Sequence, residues 1–182
     1  MLVSQICIIT KVCTSPHLHD NSCKKVSTKH IFPPPTLREG TVGYFDGAAN
    51  AGRCGVGMVI FVEGSLSYRL LVDVGCSTNT KSKLMVLWGL LYFVIHKNIQ
   101  DFHVWGNSKV IVDWALGKHI IHSMDLKHWL LWVEELFGHF SSLTFQHVYR
   151  EFNSLADELS KRAIGLGAGQ IFREEHIEEG EG

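Results

Sequence analysis

The stretch that most restricts the fold of this chain is "LMVLWGLLYFVI", Leu84 to Ile95. It carries no charge and is apolar nearly all round. A bilayer-spanning helix needs about 18 to 20 such residues, so the run is too short to cross a membrane. A helix apolar on every side must instead be covered by other parts of a folded domain. Ser77, Thr78 and Asn79 supply cap chemistry just ahead of it. The reading is a long, buried central helix. With 182 residues, 46% of them hydrophobic, the chain has material for one domain of about 100 to 150 residues plus tails.

Three strand-like stretches precede that helix: "TVGYFDGAAN", "CGVGMVIFVEG" and "SLSYRLLVDVG", the last two joined by a hairpin at Gly64-Ser65. After it, "DFHVWG" reads as a fourth strand and Ser108 to about Leu116 as a second helix. A third helix follows, with Leu126, Trp129, Leu130, Val133 and Phe137 at helical spacing. "SLTFQHVYR" alternates Leu143, Phe145, His147 and Tyr149, as a fifth strand does. "NSLADELSKRAIG" closes the pattern: Asn153 as cap, Leu155, Leu159 and Ala163 as stripe, Gly165 as stop. The order β-β-β-α-β-α-α-β-α predicts an α/β fold with a five-stranded mixed sheet and helices on both faces. Residues 1–40, ending in Pro33-Pro34-Pro35, read as a poorly structured leader, residues 41–164 as the domain, and residues 165–182 as a disordered acidic tail.

Net charge is −1, so no global field draws the chain to nucleic acid or an anionic membrane; only local patches remain. The five cysteines are odd in number and form no C-x-x-C pair, which fits a reducing intracellular compartment, nucleus or cytoplasm undistinguished. "MLVSQICIITK" lacks the basic start and cleavage pattern of a secretion signal. Cys13, His17, His19 and Cys23 have ligand chemistry but a spacing that matches no zinc motif.

Four polar positions fall near strand ends or helix starts: Asp46, Lys83, Asn107 and Asp157. Each has an ordinary explanation alone. Asp46-Gly47 suits a turn, Asn107 beside Ser108 suits a helix cap, and Asp157 suits the dipole of a first helical turn. Lys83 does not, because a helix N-terminus prefers anions. Taken together, the D-G-A of "YFDGAA", the T-N start of "TNTKSKL", the "GNSK" turn and the N-x-x-x-D of "NSLADELS" resemble the ribonuclease H-like domain. The version resembled is that of type 1 ribonuclease H in plant reverse-transcriptase-derived, retroelement proteins, and the likeness spans residues 41–164.

The resemblance implies hydrolysis of the RNA strand of RNA–DNA hybrids by an endonuclease using two Mg²⁺ ions. Four acids hold those ions in the family. This chain retains Asp46 and Asp157, the expected metal ligands, while Lys83 and Asn107 stand at the other two acid positions. The resemblance also assigns nucleic-acid contact to Thr78 and Asn79, with Lys81, Lys109 and Arg150 as nearby positive charge. Lys118, His119, His122, Lys127 and His128 offer a second basic patch. The chain is expected to act as a monomer with a nucleic-acid partner and no membrane.

Charge decides between an active and a degenerate site. Two dications about 4 Å apart repel by roughly 17 kcal/mol at an effective dielectric of about 20, and four carboxylates normally offset this. A lysine ammonium about 4 Å from one dication would add about 8 kcal/mol of repulsion on the same scale. Asn107 offers only a neutral carbonyl. The expectation is a hybrid-binding domain with Mg²⁺ binding weak or absent and catalysis lost or weak. The alternatives are an active Mg²⁺-dependent hybrid nuclease with a rearranged site, and a protein-interaction remnant of a retroelement.

Overall fold

The computed structural model describes residues 40–63 and 66–177. The Gly64-Ser65 turn, the triple proline and the Cys13, His17, His19, Cys23 set lie outside the described residues.

Three antiparallel strands open the domain: β1 (Thr41–Asn50), β2 (Arg53–Phe61) and β3 (Leu66–Cys76). The central helix α1 spans Asn79–His96. Then come β4 (Asp101–Gly106), α2 (Lys109–Ala115), α3 (Lys127–Phe137) and β5 (Ser142–His147). A short 3-10 turn, Arg150–Asn153, leads into α4 (Ser154–Ile164), and β6 (Ile171–Ile177) ends the described chain. The sheet order is β5-β4-β1-β2-β3-β6, with β4 parallel to both β1 and β5 and every other pairing antiparallel.

Strand alternation sends side chains to two faces, and each face has its own core. On one, Phe45, Met58, Leu70 and Phe102 pack with Leu84, Leu87, Leu91 and Trp129 from α1 and α3. On the other, Val42, Tyr44, Val59, Leu71 and Trp105 pack with Leu155, Ala156 and Leu159 of α4. The expected burial of the central helix follows: Leu84 through Leu91 are all buried, between the sheet and α3.

The sheet has six strands, not five. The sixth comes from residues 165–182, expected to be a disordered acidic tail, of which Ile171–Ile177 pair antiparallel with β3. The edge of β3 would otherwise present unpaired backbone groups. Asp73 and its neighbours draw the chain back, with Asp73 N–H donating to the Gln170 carbonyl at 3.0 Å and Gly169 N–H to the Asp73 carbonyl at 2.9 Å. Ile171 then packs on one core and Phe172 on the other. The acidic composition of "REEHIEEGEG" hid this, although charged residues are what an outermost strand uses to avoid pairing with other chains.

Close approach of α4 to β2 depends on Gly57. A Cβ there would lie 2.6 Å from both the Ala156 carbonyl and the Ser160 nitrogen, which are backbone atoms that cannot swing aside. Gly57→Ala should therefore lower stability by about 1–3 kcal/mol, read from the urea midpoint. Gly138→Ala, where a Cβ meets nothing within 4 Å, should change it by less than about 0.5 kcal/mol.

Candidate functional site

β1 and β4 run parallel and adjacent, so their carboxyl ends open on the same rim of the sheet, where ligand sites of such sheets lie. Asp46 sits on β1 near this rim and is only 3% exposed. Its Oδ1 accepts the Gly47 N–H at 2.8 Å. Lys83 Nζ lies 3.1 Å from the same oxygen, as an ion pair with side chains 17% and 4% exposed. Gly47 makes that pair possible. A Cβ at Gly47 would come within 2.9 Å of the Lys83 backbone nitrogen and 2.4 Å of Ser82 Oγ, so only glycine lets the first turn of α1 come this close.

Asp157 reaches the rim from the first turn of α4. Asn153 fixes where that helix begins. It was expected to cap α4, but its side chain makes no capping hydrogen bond. Instead, buried Asn153 Nδ2 donates to the Phe45 carbonyl at 3.0 Å, one residue before Asp46. This cross-link satisfies a β1 carbonyl and ties the two aspartates' elements together. The sequence reading missed that role, because capping and cross-linking asparagines look alike in sequence.

Asp157 is itself held by two cations. Lys161 Nζ lies 2.5 Å from Oδ2 and Arg150 Nη2 3.4 Å from Oδ1. Lys161 also escaped the sequence reading, although its i,i+4 spacing from Asp157 on a helix is a readable pairing signal. Asn107 directly follows β4, and its Oδ1 is buried with no hydrogen-bond partner among the described residues. Its backbone carbonyl lies 3.3 Å from His147 Nε2. His147 is exposed, unlike the half-buried Leu143 and Phe145 with which it alternates.

Asp46, Lys83, Asn107, Asp157, Arg150 and Lys161 line one open depression of about 320 Å³, with Asn79 at its edge. All four positions singled out in the sequence thus meet in space. Thr78 does not line it; its hydroxyl caps α1 by accepting the Lys81 N–H at 3.3 Å. Lys81 and Lys109 also stand outside it. Lys109 is engaged on its own helix, 2.7 Å from Asp113 Oδ2. That hydrogen bond is the main reason the half-buried Asp113 carboxyl is held below the usual carboxylate range, with the charges of Lys109, Lys118 and His119 adding to it.

This donor set does not fit two divalent cations. The two carboxylates are each paired with a cation of the chain, and a third cation adds to them, so the lining carries a net charge of +1. Among the described residues no three His, Cys, Asp or Glu side chains converge as a metal-holding group. A donor-rich, positively charged depression suits an anion better than a hard cation.

Residues 44–163 match a family model described as reverse transcriptase-like. No curated protein matches the chain. Among solved structures, the ribonuclease H1 of the halophilic archaeon Halobacterium salinarum is 23% identical, with a TM-score of 0.67 over 71% of this chain and 100% of that one. The N-terminal RNase H domain of a Mycobacterium tuberculosis protein is 22% identical, with a TM-score of 0.63 over 69% of this chain and 94% of that one. LC11-RNase H1, solved in complex with an RNA/DNA hybrid, is 25% identical, with a TM-score of 0.63 over 69% and 96%. These likenesses carry the ribonuclease H-like fold.

Two outcomes test the geometry. Lys83→Met leaves a buried carboxylate without its cation, so stability should fall by about 3–5 kcal/mol near neutral pH in a denaturant titration. Lys109→Ala should move the Asp113 carboxyl up toward its ordinary range in a pH titration followed by NMR. The pair's contribution to stability exists above that ordinary range and is lost as pH falls through the lowered value.

Proposed function

The chain belongs to the reverse transcriptase-like family, and from that premise we propose that it is a nucleic-acid-binding, ribonuclease H-like domain that engages RNA–DNA hybrids and has lost the family's hydrolytic step. One observation carries the proposal: Lys83 stands 3.1 Å from Asp46, so a covalently tethered cation occupies the counter-ion position of a buried carboxylate. In the family, Mg²⁺ held by acids would polarise the scissile phosphate and generate the attacking water. Here Asn107 is neutral and Asp157 is paired with Arg150 and Lys161.

Binding has separate support. LC11-RNase H1 and a foamy viral protease-reverse transcriptase were each solved with an RNA/DNA hybrid. In this chain Thr78 and Asn79 are exposed at the start of α1, and hydroxyl and amide groups of this kind read the 2′-OH that marks an RNA strand. Arg150, with a side chain 72% exposed, adds phosphate affinity at the rim. We also read the chain as retroelement-derived, which accords with the reverse transcriptase-like description.

The proposal expects salt-dependent binding to a labelled hybrid in EDTA, with affinity falling steeply as salt rises, and no hybrid cleavage in Mg²⁺. Restoring acids by Lys83→Glu with Asn107→Asp, and releasing Asp157 by Lys161→Ala, should return Mg²⁺-dependent cutting of the RNA strand. Hybrid cleavage by the unmodified protein, abolished by Asp46→Asn, would overturn the loss of catalysis. Failure to bind the hybrid at any salt concentration would overturn the binding half.

A further inference from the structure

The depression holds more hydrogen-bond donors than its own acceptors use. Asp46 Oδ1 already takes the Gly47 N–H and Lys83 Nζ. Asp157 gives one oxygen to Arg150 and the other to Lys161. The donor side is far from filled. An ammonium carries three N–H groups and a guanidinium five, and each of these cations meets one aspartate here.

We propose that this depression is a metal-independent site for one phosphate group of a nucleic-acid backbone, held directly by Lys83, Arg150 and Lys161. The inference rests on the nucleic-acid reading above and deepens it by naming the group bound and the residues that bind it. Charge favours it: three cations and two carboxylates meet one phosphodiester anion, so the loaded site is neutral. Space permits it, since about 320 Å³ is about ten times the ~30 Å³ share of a water molecule in the liquid. Access permits it, because the side chains of Arg150 and Lys161 are 72% and 55% exposed.

The two substitutions then have one common effect. Lysine at position 83 adds a cation, and asparagine at position 107 withholds an anion that would repel the phosphate. Asp46 acts as a positioning residue that holds the Lys83 ammonium and does not touch the ligand.

The test is a titration of the full chain with inorganic phosphate in EDTA, followed by amide NMR. Saturable shifts at Gly47, Lys83, Asn107 and Lys161 are expected. Lys161→Met should weaken that affinity about tenfold, the loss of one charge-assisted contact, and Asn107→Asp should weaken it by introducing a like charge. Lys161 is a surface residue, so its variant serves even if Lys83→Met does not fold. The same variants should weaken binding of a labelled hybrid in EDTA. Absence of saturable phosphate shifts would overturn the site even if the hybrid binds elsewhere. Phosphate binding with hybrid affinity untouched by the variants would overturn the backbone assignment and give the site to free phosphate. Hybrid failing to bind, with phosphate binding intact, would overturn the nucleic-acid reading on which this rests.

Discussion

A carboxylate that is 3% exposed on β1, an interior strand of the sheet, would be intolerable alone, because a buried, unpaired charge costs several kcal/mol. The Lys83 ammonium resolves this for Asp46, and much of the site geometry serves that contact. Gly47 removes the Cβ that would hold α1 away. Thr78 caps the helix so that its first turn forms where it is needed. Buried Ser82, next to Lys83, donates back to the Asn79 carbonyl at 2.8 Å and closes that turn. Across the rim, Asn153 secures α4 to β1, so Asp157 is delivered to the same depression with its own two cations.

A tethered cation and an exchangeable one differ in what they permit. A metal ion brings open coordination positions and can polarise a phosphate and a water together. An ammonium brings three directional donors and full charge but no coordination site. It therefore preserves the electrostatic attraction between site and backbone while supplying no means of generating a hydroxide. On the proposed reading, binding and catalysis, which divalent metal couples in the ribonuclease H family, are separated here because side-chain cations take the place of the metal.

The architecture was legible where periodicity was strong. The apolar run Leu84–Ile95, the three-strand opening and the stripe Leu155, Leu159, Ala163 all fall in the elements expected of them. The positions of Asp46, Lys83, Asn107 and Asp157 came from a resemblance in motif order, and their meeting in one depression is a tertiary fact that no local pattern contains. What escaped notice had physical causes. β6 is stabilised by the free edge of β3 and by two apolar residues on opposite faces, while its composition is that of a solvated tail. Asn153 uses a hydrogen bond across 108 positions of chain, invisible to any local rule. Lys161 was readable at i,i+4 from Asp157 but looked like ordinary helix-surface charge.

The central claim is that the chain's own ammonium, not a divalent metal, neutralises Asp46. Titration with Mn²⁺, whose unpaired electrons broaden nearby amide signals, tests it most directly. If the ammonium holds this position, Gly47, Lys83 and Asp157 show no selective, saturable broadening, only the weak nonspecific loss that any carboxylate surface gives. Selective broadening of these three amides that saturates with Mn²⁺ and is competed away by Mg²⁺ would contradict it.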